Sequence, residues 1–213
     1  MENSLLEDVQ ICNQLKGVVN LLHNKPSCNC YLLHLVDLVG ATLVGVKPAE
    51  LLNISLTKGG TKFSHWEECK LCLSIKIQLR EIKKQNGSVQ VFFYHSNSLD
   101  TALCNKANLK FLQRFGYPEQ YSLEGYVDFL IERLRSSDFP HEIGIFLGYP
   151  LKDVLGYMGH STLKLVKTKG WKIYGNENMS NKRYQSFVRA RTKVRAYINS
   201  FNDRDSHLFR NLG

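Results

Sequence analysis

The chain has 213 residues, of which 43% are hydrophobic, 11% aromatic and 22% charged; such a composition excludes a disordered or fibrous chain and implies a packed core. Its net charge of +9 is unevenly placed, because sixteen Lys and Arg balance sixteen Asp and Glu through Gly159, whereas twelve cations face only Glu177, Asp203 and Asp205 from His160 onward. The length fits one domain over 1–213, and the lopsided charge points to an anionic partner near the C-terminal quarter.

The N-terminal stretch NSLLEDVQICNQLKGVVNLLHN places apolar residues at steps of three and four, the period of an amphipathic helix, with Ser4 and Glu7 spaced as a capping box. It is acidic where a secretory leader is basic and then continuously apolar, and no apolar run is long enough to span a bilayer. A cytoplasmic protein without membrane attachment is therefore expected. In that compartment Cys12, Cys28, Cys30, Cys69, Cys72 and Cys104 are expected as reduced thiols.

YLLHLVDLVGATLVGV is apolar nearly all round and reads as a buried helix ending near Gly45, before Pro48. AELLNIS then reads as a short buried strand. SHWEECKLCLSIKIQLREIKKQNG is taken as one helix, with a polar cap at Ser64, acids in the first turn, lysines in the last and an Asn86–Gly87 stop. SVQVFFYH is rich in strand formers. Helices are expected over about 98–115 and 122–136, separated at Pro118. The apolar run IGIFLG reads as a further strand, YPLKDVLGYMG as a helix with Pro150 in its first turn, GWKIYG as a short strand, and 178 to about 203 as a basic amphipathic helix. Alternating strands and helices imply an α/β fold, a small, mostly buried sheet flanked by helices.

FPHEIGIFLGYPLKDVLGYM followed by GWKIYGN resembles the bacterial family known as domain of unknown function 3793, and ATLVGVKPAELLNI resembles a second marked stretch of that family. The resemblance covers about residues 30–200. DLVGATL stands where a cysteine-proline pair is often found before Lys47, and the tail is unusually basic. The resemblance implies a shared fold and a bacterial source; it implies no activity, cofactor or catalytic residue.

Four constellations carry possible chemistry. His141 and Glu142 lack the second histidine of a zinc-protease helix, since position 145 is Ile. On a strand they would point to opposite faces, so they do not form a dyad. GYPLKDV is a strand-turn-helix junction of the kind that binds anions, but its glycines do not match a phosphate-loop spacing. His65, Cys69 and Cys72 share one helical face, and Cys28 and Cys30 form a second group, yet no second CxxC completes a four-ligand set, so no metal site is assigned. The terminal helix gathers Tyr184, Phe187, Val188, Val194, Tyr197, Ile198 and Phe201 on one side and Lys182, Arg189, Lys193 and Arg204 on the other.

Two functions follow as expectations. The first is a non-covalent binding module in which Lys182, Arg189, Lys193 and Arg204 meet an anionic ligand, a nucleic acid or an acidic protein. The alternative is an enzyme or a redox or cofactor accessory protein with a pocket near Lys47, His141, Glu142 and Tyr149. No cofactor is identified by the sequence, and oligomeric state is not encoded in any motif.

Overall fold

The computed structural model describes Leu15 and residues 29–55, 61–83 and 87–210, with side chains at 29–31, 61–65, 83 and 201–210 excepted. The expected N-terminal helix, including Cys12 and Cys28, lies outside the described residues. Elements run in the order α1 (Asn29–Leu43), β1 (Ala49–Ser55), α2 (Thr61–Leu73), β2 (Gln78–Lys83), β3 (Ser88–Tyr94), α3 (Ser96–Leu103), α4 (Lys106–Gln113), α5 (Leu123–Arg135), α6 (Ile143–Phe146), α7 (Leu151–Tyr157), β4 (Leu165–Lys169), β5 (Trp171–Tyr174) and α8 (Asn178–Arg210).

β3 is the centre of a three-stranded antiparallel sheet of order β1-β3-β2, in which Tyr94 lies opposite both Ala49 and Gln78. Both of its faces are covered, because successive strand side chains point to opposite sides. Val89, Val91 and Phe93 join one core with Val36 and Val39 of α1, Trp66 and Leu73 of α2, and Val194 and Ile198 of α8. Phe92 and Tyr94 join the other with Leu99, Tyr126, Leu130, Phe146 and Val154 from α3, α5, α6 and α7. A helix-sheet-helix sandwich results, the α/β arrangement that the alternating pattern implies.

Three segments differ from the sequence expectation. The supposed long helix from Ser64 stops at Leu73, and β2 follows after a turn. The alternation of IKIQL falls mostly in that turn, and the strand itself, QLREIK, has apolar residues only at Leu79 and Ile82, so its pairing with β3 rather than its own period defines it as a strand. The span 98–115 is broken at Cys104, where the Asn105 side chain accepts from the amides of Ala107 and Asn108 and starts α4. IGIFLG is a buried single-turn helix rather than a strand. Its amides bond locally, Ile145 N to Glu142 O at 2.9 Å and Leu147 N to Ile143 O at 2.9 Å. A short run apolar on every side fits a buried helix as well as a strand.

Two glycines fix how these helices dock. At Gly148, φ is +81° and a Cβ would lie 2.6 Å from Pro48 Cδ, so the turn after α6 sits directly on the turn after α1. At Gly156, a Cβ would lie 2.4 Å from Tyr174 Cγ, so α7 lies flush against β5. β4 pairs with β5 in a separate antiparallel hairpin, which α7 carries beside the N-terminal end of α8.

Candidate functional site: an aromatic cleft and a basic helix flank

The segment from Phe139 to Val154 positions most of the candidate residues. His141 and Glu142 occupy a turn ahead of α6 and diverge. Glu142 points inward and is 1% exposed, receiving Arg133 Nε at 2.5 Å and the Tyr117 hydroxyl at 3.4 Å. Burial, and then the negative charge of Glu142, raise the Tyr117 pKa far above its ordinary value, so the phenol stays a donor. His141 points outward, with its ring 5.0 Å from that of Tyr157 and 5.7 Å from that of Phe139.

Lys47 belongs to neither group. It is buried, pairs with Glu50 at 2.6 Å and has the rings of Tyr149 and Phe187 within 5.9 and 5.7 Å of its ammonium. Tyr149 also stacks on Trp171, with centroids 4.5 Å apart. Burial, with Glu50 adding to it, pushes the Tyr149 hydroxyl up to about 12, so the phenol keeps its proton near neutral pH.

Of the four pocket residues named from sequence, His141 and Tyr149 line one cleft of about 360 Å³; Glu142 and Lys47 do not line it. The remaining walls come from Phe139, Ile143, Gly144, Leu147, Val154, Tyr157, Thr168, Trp171 and Lys172. Asp153 also lines the cleft, 1% exposed and fully occupied. Oδ1 receives Lys152 Nζ at 2.6 Å and the Tyr174 amide at 2.9 Å; Oδ2 receives Ser180 Oγ at 2.6 Å and Trp171 Nε1 at 2.9 Å. Burial opposes ionisation of this carboxyl, but the donors from Lys152, Ser180, Tyr174 and Trp171 outweigh it and hold the pKa below the usual range. Asp153 ties α7, β5 and the start of α8 together. At the sequence level it is one first-turn acid among several, and no local pattern separates it from an ordinary dipole-favourable residue.

Residues 133–175 thus build both the inner ion pair and the outer cleft, and they lie within a match over residues 35–206 to the family described as protein of unknown function DUF3793. The chain belongs to that family. No curated protein and no solved structure matches it. In this DUF3793 member Cys69 and Cys72 are buried in the core beside α1, the side chains of His65 and Cys30 lie outside the described residues, and no metal-binding group of three His, Cys, Asp or Glu occurs among the described residues. No described helix is long and apolar enough to cross a membrane.

α8 separates its cations into two flanks. Arg191 and Arg195 reach Asp37 of α1 at 2.9 and 2.7 Å. At 100° per residue, Lys182, Arg189, Lys193 and position 204 fall within about 60° of one another on the other flank, along about 33 Å of helix. Lys182 and Arg189 are exposed there; Arg189 Nε donates to the Gln185 carbonyl of its own helix. Beyond the helix start, Lys167 of the hairpin pairs with Glu177, and the Lys169 ammonium lies 4.8 Å from the Tyr184 ring centroid.

Proposed function

We propose that this protein is a cytoplasmic binding module that holds nucleic-acid phosphates non-covalently along the Lys182, Arg189, Lys193 and Arg204 flank of α8. The observation that carries the proposal is the split use of the helix's charge. Asp37 engages Arg191 and Arg195 on one flank, while Lys182 and Arg189 on the other are exposed and have no acidic partner among the described residues. Cations held by an intramolecular acid, such as Arg191 and Arg195, serve the fold, whereas the exposed Lys182 and Arg189 are open to a charged partner elsewhere. A straight row suits a linear array of phosphates better than a compact anion, and binding would release condensed counterions, giving steep salt dependence.

The test is fluorescence anisotropy with a labelled 20-nucleotide single strand across a salt series. Affinity should fall linearly on a double-logarithmic plot, and Lys182→Glu/Arg189→Glu should weaken binding roughly tenfold or more at 0.1 M salt. Equal binding by the double variant would remove the proposal, and preferential binding of polyglutamate over the oligonucleotide would redirect it to an acidic protein. An enzyme or cofactor accessory protein is the alternative, supported by His141 and Tyr149 lining one cleft and weakened by the engagement of Glu142 and Lys47 in other contacts.

A further inference from the structure

The cleft between α6, α7 and the β4-β5 hairpin carries a separate proposal. Two large aromatic side chains stand at its mouth half in water: Phe139 is 48% exposed and Tyr157 47% exposed. Within it, Tyr149 and Trp171 are stacked with their planes 17° apart, and His141 meets Tyr157 edge to face. The floor is apolar, from Ile143, Leu147 and Val154. A concave, mainly apolar surface of about 360 Å³ with a few convergent polar groups has the size and character of a small-molecule site, at the small end of the usual range.

The polar groups decide the sign of the ligand. Asp153 is the cleft's one carboxylate, and its two oxygens already receive four donors, so it has no capacity left to bind a cation. Lys152 balances its charge at 2.6 Å. Lys172 on β5 is exposed, has no acidic partner among the described residues, and holds its ammonium 5.1 Å from the Tyr157 ring centroid at the rim. Thr168, opposite Lys172 in the hairpin, also lines the cleft. Aromatic walls favour a flat ring through offset or edge contacts, and an uncompensated rim cation favours a negative group on that ring.

We propose that this cleft binds a small planar aromatic carboxylate, the ring against Tyr157, Tyr149 and Trp171 and the carboxylate toward Lys172. The site is independent of the α8 flank and of nucleic-acid binding, so either can fail without the other.

Isothermal titration calorimetry of the whole chain with 2-naphthoate and with its neutral counterpart 2-naphthalenemethanol tests it. The carboxylate should bind saturably and at least tenfold more tightly than the alcohol. Lys172→Ala should erase that preference while leaving the alcohol's affinity unchanged, and Tyr157→Ala should weaken both probes about tenfold. Both positions are exposed, and an unchanged circular dichroism spectrum and melting temperature would show that the variants fold. Absence of saturable binding, equal affinity for the two probes, or a preference that survives Lys172→Ala would overturn the proposal.

Discussion

Arg133 Nε lies 2.5 Å from Glu142 Oε1, and the two side chains are unequally buried, the carboxylate 1% and the guanidinium 36% exposed. Glu142 therefore depends on Arg133 for its charge compensation, whereas Arg133 can turn to water. Arg133→Ala should destabilise the fold by about 2–3 kcal/mol, since it strands a buried carboxylate. Adding Glu142→Gln should recover part of that loss because the stranded charge is gone. Chemical denaturation of the two single variants and the double variant gives the coupling directly; a double variant no more stable than Arg133→Ala would mean that the pair is not compensating charge.

Asp153 should behave as a joint between three elements. Asp153→Asn replaces two acceptor oxygens with one and turns an NH₂ toward donors, so it should cost about 2–3 kcal/mol, while Ser180→Ala, which removes one of four donors, should cost about 1 kcal/mol. The folded-state pKa of Asp153 is depressed below its unfolded value, so its contribution is present above the ordinary carboxyl range and lost as pH falls through the depressed value. Urea midpoints between pH 7 and pH 3 would show wild type converging on Asp153→Asn toward the acid end. A constant gap across that range would contradict the assignment.

The sheet and the helices around it were largely legible, because SVQVFFYH and AELLNIS carry strand chemistry over their whole length and YLLHLVDLVGATL is long, apolar and closed by Gly45. Where the segment was short or doubly patterned, neighbours decided. QLREIK has no strict strand alternation and sits behind a convincing helix cap and stop, and only the hairpin to β3 resolves it. LVKTK shows no alternation because nearly all of β4 is exposed, so its pairing with β5 left no hydrophobic trace. The cleft was half legible: His141 and Tyr149 stood out as polar groups at turns, but Phe139, Tyr157 and Trp171 become a site only when the hairpin folds against α7. The Asp37 clamp was invisible for a related reason, since 154 residues separate it from Arg191.

Gly156 is the contact on which the hairpin's position rests. A Cβ there would fall 2.4 Å from Tyr174 Cγ, inside any tolerable approach. In an isolated helix Gly→Ala gains about 1 kcal/mol, yet here Gly156→Ala should destabilise by about 1–3 kcal/mol through overpacking. Truncating the obstructing ring as well, in Gly156→Ala/Tyr174→Ala, should restore part of the stability lost by Gly156→Ala alone. Thermal melts decide the point: a stabilised Gly156→Ala would show that α7 and β5 do not meet closely.

The two flanks of α8 can be separated by pH and by salt. The hydrogen bond from Arg195, opposed by burial and aided by Arg191, holds the Asp37 carboxyl at about 2, below its ordinary value of 3.8. A depressed folded-state pKa means that the clamp contributes fully above about pH 5 and is lost as pH falls through 4 toward 2. Both arginines are substantially solvent-exposed, so screening reduces the contribution to about 1 kcal/mol. Asp37→Asn should lower stability by about that amount at pH 7, with the difference shrinking below pH 4 and in high salt. The same substitution removes an acid and releases two cations, so oligonucleotide affinity should stay level or rise, opposite to the effect of Lys182→Glu/Arg189→Glu. If Asp37→Asn instead weakened oligonucleotide binding as much as that charge reversal, the clamped flank would be part of the binding surface, and the division of labour along α8 would be wrong.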